Sequence, residues 1–159
     1  MAEELIVGEF RRTLDDRYRV SIPGELLLPL GAADGECLLA KERPGALSLW
    51  PVEPWQSHFA DGIKLIQQRI QTGRLSERIT DVQLLGRLLS TRQRKVPIAG
   101  RGRLVVPEGF REFLGAEPGS DLLLVGAAIC IEIWRPDAWT QQLEEEIPRF
   151  RELYDDLSA

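Results

Sequence analysis

Trp50-Pro51-Val52-Glu53-Pro54-Trp55 returns 84 residues later as Trp134-Arg135-Pro136-Asp137-Ala138-Trp139. The chain holds four tryptophans, so two pairs at one offset point to an internal repeat. The same offset carries Arg17 to Arg101, Arg19 to Arg103 and Pro23 to Pro107. It also carries Leu30-Gly31-Ala32 onto Leu114-Gly115-Ala116, Gly35 onto Gly119, and Leu38-Leu39 onto Leu122-Leu123. These are eleven identities between residues 14 and 60 without a gap. The chain is a duplication.

Each copy reads alike. An Arg-x-Arg pair leads into aliphatic and β-branched residues, Val20-Ser21-Ile22 and Leu104-Val105-Val106, which predict a short strand. Proline then stands where a helix would begin. The second-copy helix is expected over Glu108 to Leu114, stopped by Gly115. Pro29 falls inside the first-copy stretch, so a shorter or broken helix is expected there. An apolar hairpin follows, Cys37 to Lys41 and Ala46 to Trp50 around Pro44-Gly45. Its counterpart runs from Leu122 to Val125 and from Ile129 to Trp134. A helix closes each copy. Ile63, Ile66 and Ile70, then Ile79, Val82, Leu85 and Leu89, carry helical spacing and predict two linker helices, roughly 54–72 and 76–91.

The expected organisation is a first repeat over 1–60, a helical linker over 61–93, a second repeat over 94–144 and a helical tail over 145–159. Two half-domains this small bury little surface separately, so a single shared, barrel-like core is the economical solution. The fold class is mainly β with flanking helices, an α+β architecture of two repeats sharing one pseudo-symmetric barrel.

At 159 residues, 43% apolar and 28% charged, the chain has the composition of a globular domain. No apolar run approaches membrane-spanning length, and Met1-Ala2-Glu3-Glu4 is acidic where a signal peptide is basic, so a cytoplasmic protein without a membrane partner is expected. Catalysis has little to work with. His58 is the lone histidine, and Cys37 and Cys130 sit in apparent strands as inert thiols. No residues have zinc spacing, and Ala99 to Arg103 lacks the Gly-x-x-x-x-Gly-Lys pattern of a phosphate loop. No enzyme activity, metal or cofactor is expected.

Net charge is −5, yet the charges are segregated. From Gly86 to Arg111 seven cations face one anion, and from Thr140 onward six carboxylates face Arg149 and Arg151. Seventeen of the 20 cations are arginine, the side chain whose fork suits phosphate and guanine edges. On a strand, residues two apart point the same way, which would co-direct Arg17 with Arg19 and Arg101 with Arg103. Arg11, Arg12, Arg94 and Lys95 add cations just upstream. These eight residues are the candidate DNA-binding set. The competing reading pairs them with Asp15, Asp16 and the acidic tail.

Gly8-Glu9-Phe10-Arg11-Arg12-Thr13-Leu14-Asp15-Asp16-Arg17-Tyr18-Arg19-Val20-Ser21-Ile22-Pro23 resembles the opening of the MraZ family, whose pattern is Leu-Asp-x-Lys-Gly-Arg-x-x-Ile-Pro. Leu84-Leu85-Gly86, Leu123-Leu124-Val125-Gly126 and Ile131-Glu132-Ile133-Trp134 with Trp139 are also similar to it. The resemblance implies two AbrB-like swapped-hairpin repeats and a transcriptional regulator of the division and cell-wall gene cluster, associated with the nucleoid. It implies a ring-like homo-oligomer that sets basic loops against direct repeats of double-stranded DNA. The motif's Lys and Arg fall on Arg17 and Arg19, and its second Arg on Arg103. Tyr18 replaces the first motif glycine, so a differently shaped first loop is expected. Ala99-Gly100 replaces the second motif's Asp. The alternatives are an oligomeric scaffold that has lost DNA binding and an AbrB-type antitoxin.

Overall fold

The computed structural model describes residues 5–31 and 35–159, with the backbone alone at Pro54, Trp55 and Leu75. The repeat identities at Ala32 and the Trp55 side chain lie outside the described residues, as do Met1 to Glu4.

In chain order the first copy forms β1 (Glu9–Thr13), β2 (Arg19–Ser21), α1 (Gly24–Leu30), β3 (Glu36–Arg43) and β4 (Ala46–Trp50). The helices α2 (Val52–Gln71) and α3 (Ile79–Thr91) follow, with a 3-10 turn over Leu75–Arg78 between them. The second copy repeats the pattern with β5 (Gln93–Ala99), β6 (Arg103–Val105), α4 (Phe110–Leu114), β7 (Asp121–Gly126) and β8 (Ile131–Trp134). Then come α5 (Pro136–Glu146), a 3-10 turn over Ile147–Arg149 and α6 (Phe150–Ser158). No described helix is long and apolar enough to cross a membrane.

The strands make one antiparallel sheet in the order β1-β7-β8-β4-β3-β5-β6-β2. The copies exchange strands: β1 pairs with β7 of the other copy, and β5 pairs with β3. The two edges meet where the Asp15 N–H donates to the Arg19 carbonyl at 3.0 Å, so the sheet curls into a nearly closed barrel. The fold is mainly β with flanking helices, as expected.

The pseudo-twofold axis can be read from the register. Val20 faces Leu104, and Ser48 faces Glu132, each pair being a residue and its own counterpart. The buried Ser48 accepts a hydrogen bond from the Trp50 indole at 2.8 Å. Across the axis Glu132 accepts one from the Trp134 indole at 3.0 Å. Trp50 and Trp134 are thus true counterparts. Burial, opposed by that indole N–H, holds the Glu132 carboxyl above its ordinary range, with Glu42 and Glu146 adding to the rise.

The offset of 84 does not hold throughout. Trp50 pairs with Leu38, whereas Trp134 pairs with Leu123. Between β3 and β7 the counterparts are therefore one residue further apart, and Leu39 corresponds to Leu124. The Ile98 N–H donates to the Gly35 carbonyl, and the Leu14 N–H donates to the Ser120 carbonyl, so Gly35 matches Ser120. The matches of Gly35 with Gly119 and of Leu38-Leu39 with Leu122-Leu123 are coincidences of sequence. A β-bulge between Lys41 and Arg43 restores the original offset before β4.

The core is aliphatic and drawn from both copies. Leu14, Val20, Leu39, Leu47, Leu49, Leu104, Leu122, Leu124, Ile131 and Ile133 are all essentially inaccessible. Burying such side chains is the main favourable term for a domain of this kind. Cys37 lies in β3, but Cys130 lies in a bend before β8 and not in a strand. Burial pushes their thiols up to about 11 and about 12, so both stay protonated and inert near neutral pH.

The short helices reverse the expectation drawn from Pro29. At seven residues α1 is longer than α4 at five, although it contains Pro29. The proline sits in the last turn, where one missing N–H costs little, and Gly31 ends the helix in the left-handed region. The second-copy helix begins only at Phe110, after Gly109 at φ 85, and not at Glu108. Gly115 closes it as expected.

Candidate nucleic-acid interface

Strands β2 and β6 form a two-stranded ribbon across the pseudo-axis. Val20 and Leu104 point into the core, so alternation turns Arg19, Ser21, Arg103 and Val105 outward. Arg19 lies opposite Val105 and Arg103 opposite Ser21, which places the two arginines roughly 7 Å apart along the ribbon. Arg17 lies in the turn before one end and Arg101 in the turn before the other. The order along the surface is Arg17, Arg19, Arg103, Arg101.

Strand alternation is not what aligns them. Arg17 and Arg101 precede the strands, and each is followed by a left-handed residue, Tyr18 at φ 59 and Gly102 at φ 74. These two are counterparts. The Val106 N–H donates to the Tyr18 carbonyl at 2.9 Å, and the Ile22 N–H donates to the Gly102 carbonyl at 2.8 Å. The first loop keeps the left-handed step and crossing hydrogen bond of the second despite the Gly-to-Tyr replacement, while its shape differs one residue earlier, where Arg101 is left-handed and Arg17 is not. The Arg111 guanidinium lies 4.1 Å from the Tyr18 ring centroid while its Nε donates to the Val106 carbonyl at 2.7 Å. That clamp holds a conformation costly to a non-glycine residue.

The loops differ at the motif aspartate. Asp15 accepts the N–H groups of Arg17 at 2.9 Å and Arg19 at 2.8 Å, and its second oxygen takes Arg19 Nε at 2.7 Å. Ala99 offers no such acceptor. There the chain closes as a 3-10 turn over Gly100–Gly102, with Arg101 also left-handed at φ 68.

The backbone hydrogen bond from Arg19, ahead of its ion pair, holds the Asp15 carboxyl below the ordinary value of 3.8. Its share of loop stability is complete above that value and is lost as pH falls through the lower, folded one. The Arg17 and Arg19 amide resonances should then titrate with a midpoint below 3.8, measurable by NMR. A midpoint at or above it would show that the carboxylate does not cap the loop.

The eight candidates do not form one free cluster. Arg19 is tied to Asp15, and Arg11 pairs with Asp121 at 3.2 Å. Arg12 lies over the Phe10 ring at 5.7 Å and donates to the Arg11 carbonyl. In the first copy, carboxylates thus hold two of the four candidates, Arg19 through Asp15 as the competing reading had it and Arg11 through Asp121, which that reading did not include. Arg17, Arg101, Arg103, Arg94 and Lys95 are exposed and make no ion pair among the described residues. Arg94 and Lys95 lie on β5, beside β6 and next to the ribbon. Sequence reasoning missed Asp15 as a loop cap and Arg111 as the Tyr18 clamp; an aspartate two residues before the first arginine was the available signal. His58 sits exposed on α2. Among the described residues no three His, Cys, Asp or Glu side chains converge as metal ligands.

The described residues form a duplicated, strand-exchanged, nearly closed barrel with an outward ribbon. Residues 94–156 match the family model described as "MraZ protein, putative antitoxin-like". The transcriptional regulator MraZ of Syntrophomonas wolfei is 24% identical over 153 residues, covering 96% of both chains. Those of Clostridium beijerinckii and Thermus thermophilus are each 23% identical, covering 90% and 89% of this chain and 90% of their own. The solution structure of PHS018 from Pyrococcus horikoshii superposes with a TM-score of 0.33 at 13% identity, over 82% of this chain and 89% of its own. The chain is similar to the MraZ family model over residues 94–156 and to regulators named MraZ over most of its length.

Proposed function

We propose that this chain is a DNA-binding transcriptional regulator of the division and cell-wall gene cluster, working in the cytoplasm on the nucleoid and not as an enzyme. It acts as a ring-like homo-oligomer that sets its arginine ribbons against directly repeated sites in double-stranded DNA. The two repeats, the linker helices and the tail work as one unit. The observation that carries this is the row Arg17, Arg19, Arg103, Arg101, with Arg19 and Arg103 on the outward face of β2 and β6 and the other two in the turns before them. A two-stranded ribbon fits the major groove, and guanidinium forks bind phosphate or guanine. The relatives named as transcriptional regulators support it. One ribbon touches few phosphates, so tethering several in a ring raises affinity through effective concentration.

Arg103 is the residue to test, since no carboxylate holds it among the described residues. Arg103→Ala should weaken binding by about 1–3 kcal/mol per DNA-bound ribbon. It should also flatten the log–log salt dependence by about 0.9 for each phosphate left unneutralised. The melting temperature should be unchanged, because the side chain is exposed. Unchanged affinity and slope would remove the ribbon as the DNA-binding surface. The scaffold reading draws on the carboxylates that hold Arg11 and Arg19. It predicts no salt-dependent binding by the parent protein in the same titration.

A further inference from the structure

Arg111 clamps Tyr18, yet that task uses only part of its guanidinium. One face of the plane lies against the Tyr18 ring, 4.1 Å from its centroid, and Nε donates to the Val106 carbonyl at 2.7 Å. The two Nη groups, which carry the rest of its donors, make no hydrogen bond or ion pair among the described residues. The residue is half-buried. The carboxylates of the adjoining segments do not occupy it. Asp15 holds Arg19, and Glu112 takes the Gly109 N–H. Asp16 and Glu108 are exposed and pair with no cation among the described residues.

The ribbon sets its place. The Val106 N–H that donates to the Tyr18 carbonyl puts these two residues opposite one another, one step beyond the Arg19–Val105 pair. Arg111 therefore stands level with the step between Arg17 and Arg19. The other end of the ribbon has no such group. There the residue 84 positions before Arg111 is Leu27, which packs against Gly102 where a side chain would otherwise sit.

We propose that Arg111 is a further DNA contact, a phosphate anchor fixed in advance at the Arg17 end of the ribbon. This rests on the DNA reading above and adds to it a residue outside the eight candidates. An exposed, unpaired arginine such as Arg17 must give up rotamer freedom when it meets a phosphate. Arg111 has given it up already. Stacking fixes its plane and the Nε bond fixes its edge, leaving the paired Nη donors for a bidentate contact. Phosphate is the ligand that fits, because a half-buried guanidinium tied back to Val106 cannot extend into a groove as a free arginine can. The left-handed tyrosine gains a reason as well. Glycine suffices for the equivalent turn at Gly102, but only an aromatic ring supplies a platform for the guanidinium.

Salt titrations of full-length variants test this, with circular dichroism and thermal melting as checks on folding. The probes are a double-stranded fragment from upstream of the protein's own gene and a scrambled duplex of equal length. Arg111→Met should weaken binding to both about tenfold or more, since a phosphate contact carries no sequence information. The log–log salt slope should flatten by about 0.9 for each bound copy. Arg111→Lys keeps a charge without the stacked plane, so it should hold the slope and lose part of the affinity. Tyr18→Gly makes the clamp unnecessary to the turn. Adding Arg111→Met to Tyr18→Gly should still flatten the slope by the same amount. If Arg111→Met is silent in that background, or if the Met and Lys variants show equal slopes, Arg111 is a clamp alone and the proposal falls. A slope that depends on Arg103 but not on Arg111 also overturns it and leaves the DNA reading standing. A parent without salt-dependent DNA binding removes both.

Discussion

Gly102→Ala should destabilise the protein by about 2–4 kcal/mol, lowering the melting temperature by roughly 6–12 °C for a chain of this length. Two effects combine. At φ 74 an alanine bears the left-handed cost of about 1–2 kcal/mol. Its Cβ would also fall under 3.0 Å from the Ile22 carbonyl oxygen, which accepts no displacement cheaply because it belongs to backbone crossing the pseudo-axis. Gly100→Ala is the internal control: it lies in the same turn, at an ordinary φ, with nothing within 4 Å of the added methyl. It should melt close to the parent. Equal melting of Gly102→Ala and Gly100→Ala would mean that the loop does not approach Ile22 as described.

The second large effect separates the two possible offsets. Leu124 is wholly buried in the shared core, as is its counterpart Leu39. Leu124→Ala and Leu39→Ala should each cost about 2–5 kcal/mol, a cavity that close packing cannot refill. Leu123 belongs instead to a small cluster with Ala46 and Trp134, beside Ala138 and Trp139 of α5. A shallow site under one helix can collapse, so Leu123→Ala should cost about half as much. Thermal unfolding of the three variants decides it. If Leu123 proved costlier than Leu124, β7 would be paired one residue away from the register seen here.

The tryptophans, the prolines and the Arg-x-Arg pairs were enough to read the duplication, the order of elements and a shared core. Each marks a place where both copies need the same local geometry. The slip between β3 and β7 was hidden because neighbouring leucines, Leu38-Leu39 and Leu122-Leu123-Leu124, match at either offset. Only hydrogen-bond partners distinguish inward from outward leucine in an all-apolar run. That Tyr18 keeps the left-handed step was hidden for a different reason. Residue propensity penalises a left-handed tyrosine, and the compensating contact comes from Arg111, 93 positions away in the chain. The helix containing Pro29 survived since proline's cost depends on its position in the turn. At the candidate interface the residue types were legible, but which arginines carboxylates had already taken was not. Asp121 reaches Arg11 only because β1 and β7 are neighbours.

Exchange of strands between the copies sets the timetable of folding. The partner of β1 lies on the order of a hundred residues further along the chain, and closing so long a loop slows the search for native pairing. During synthesis the first copy leaves the ribosome with β1 and β3 both lacking partners that have not yet been translated. The α2–α3 hairpin joins neighbouring segments and can assemble early, while the barrel must wait for β7 and β8. Until then unpaired strand edges stand open, which makes the nascent chain a natural client for chaperones. Cutting the gene between the copies would yield two unpaired fragments and not two smaller proteins.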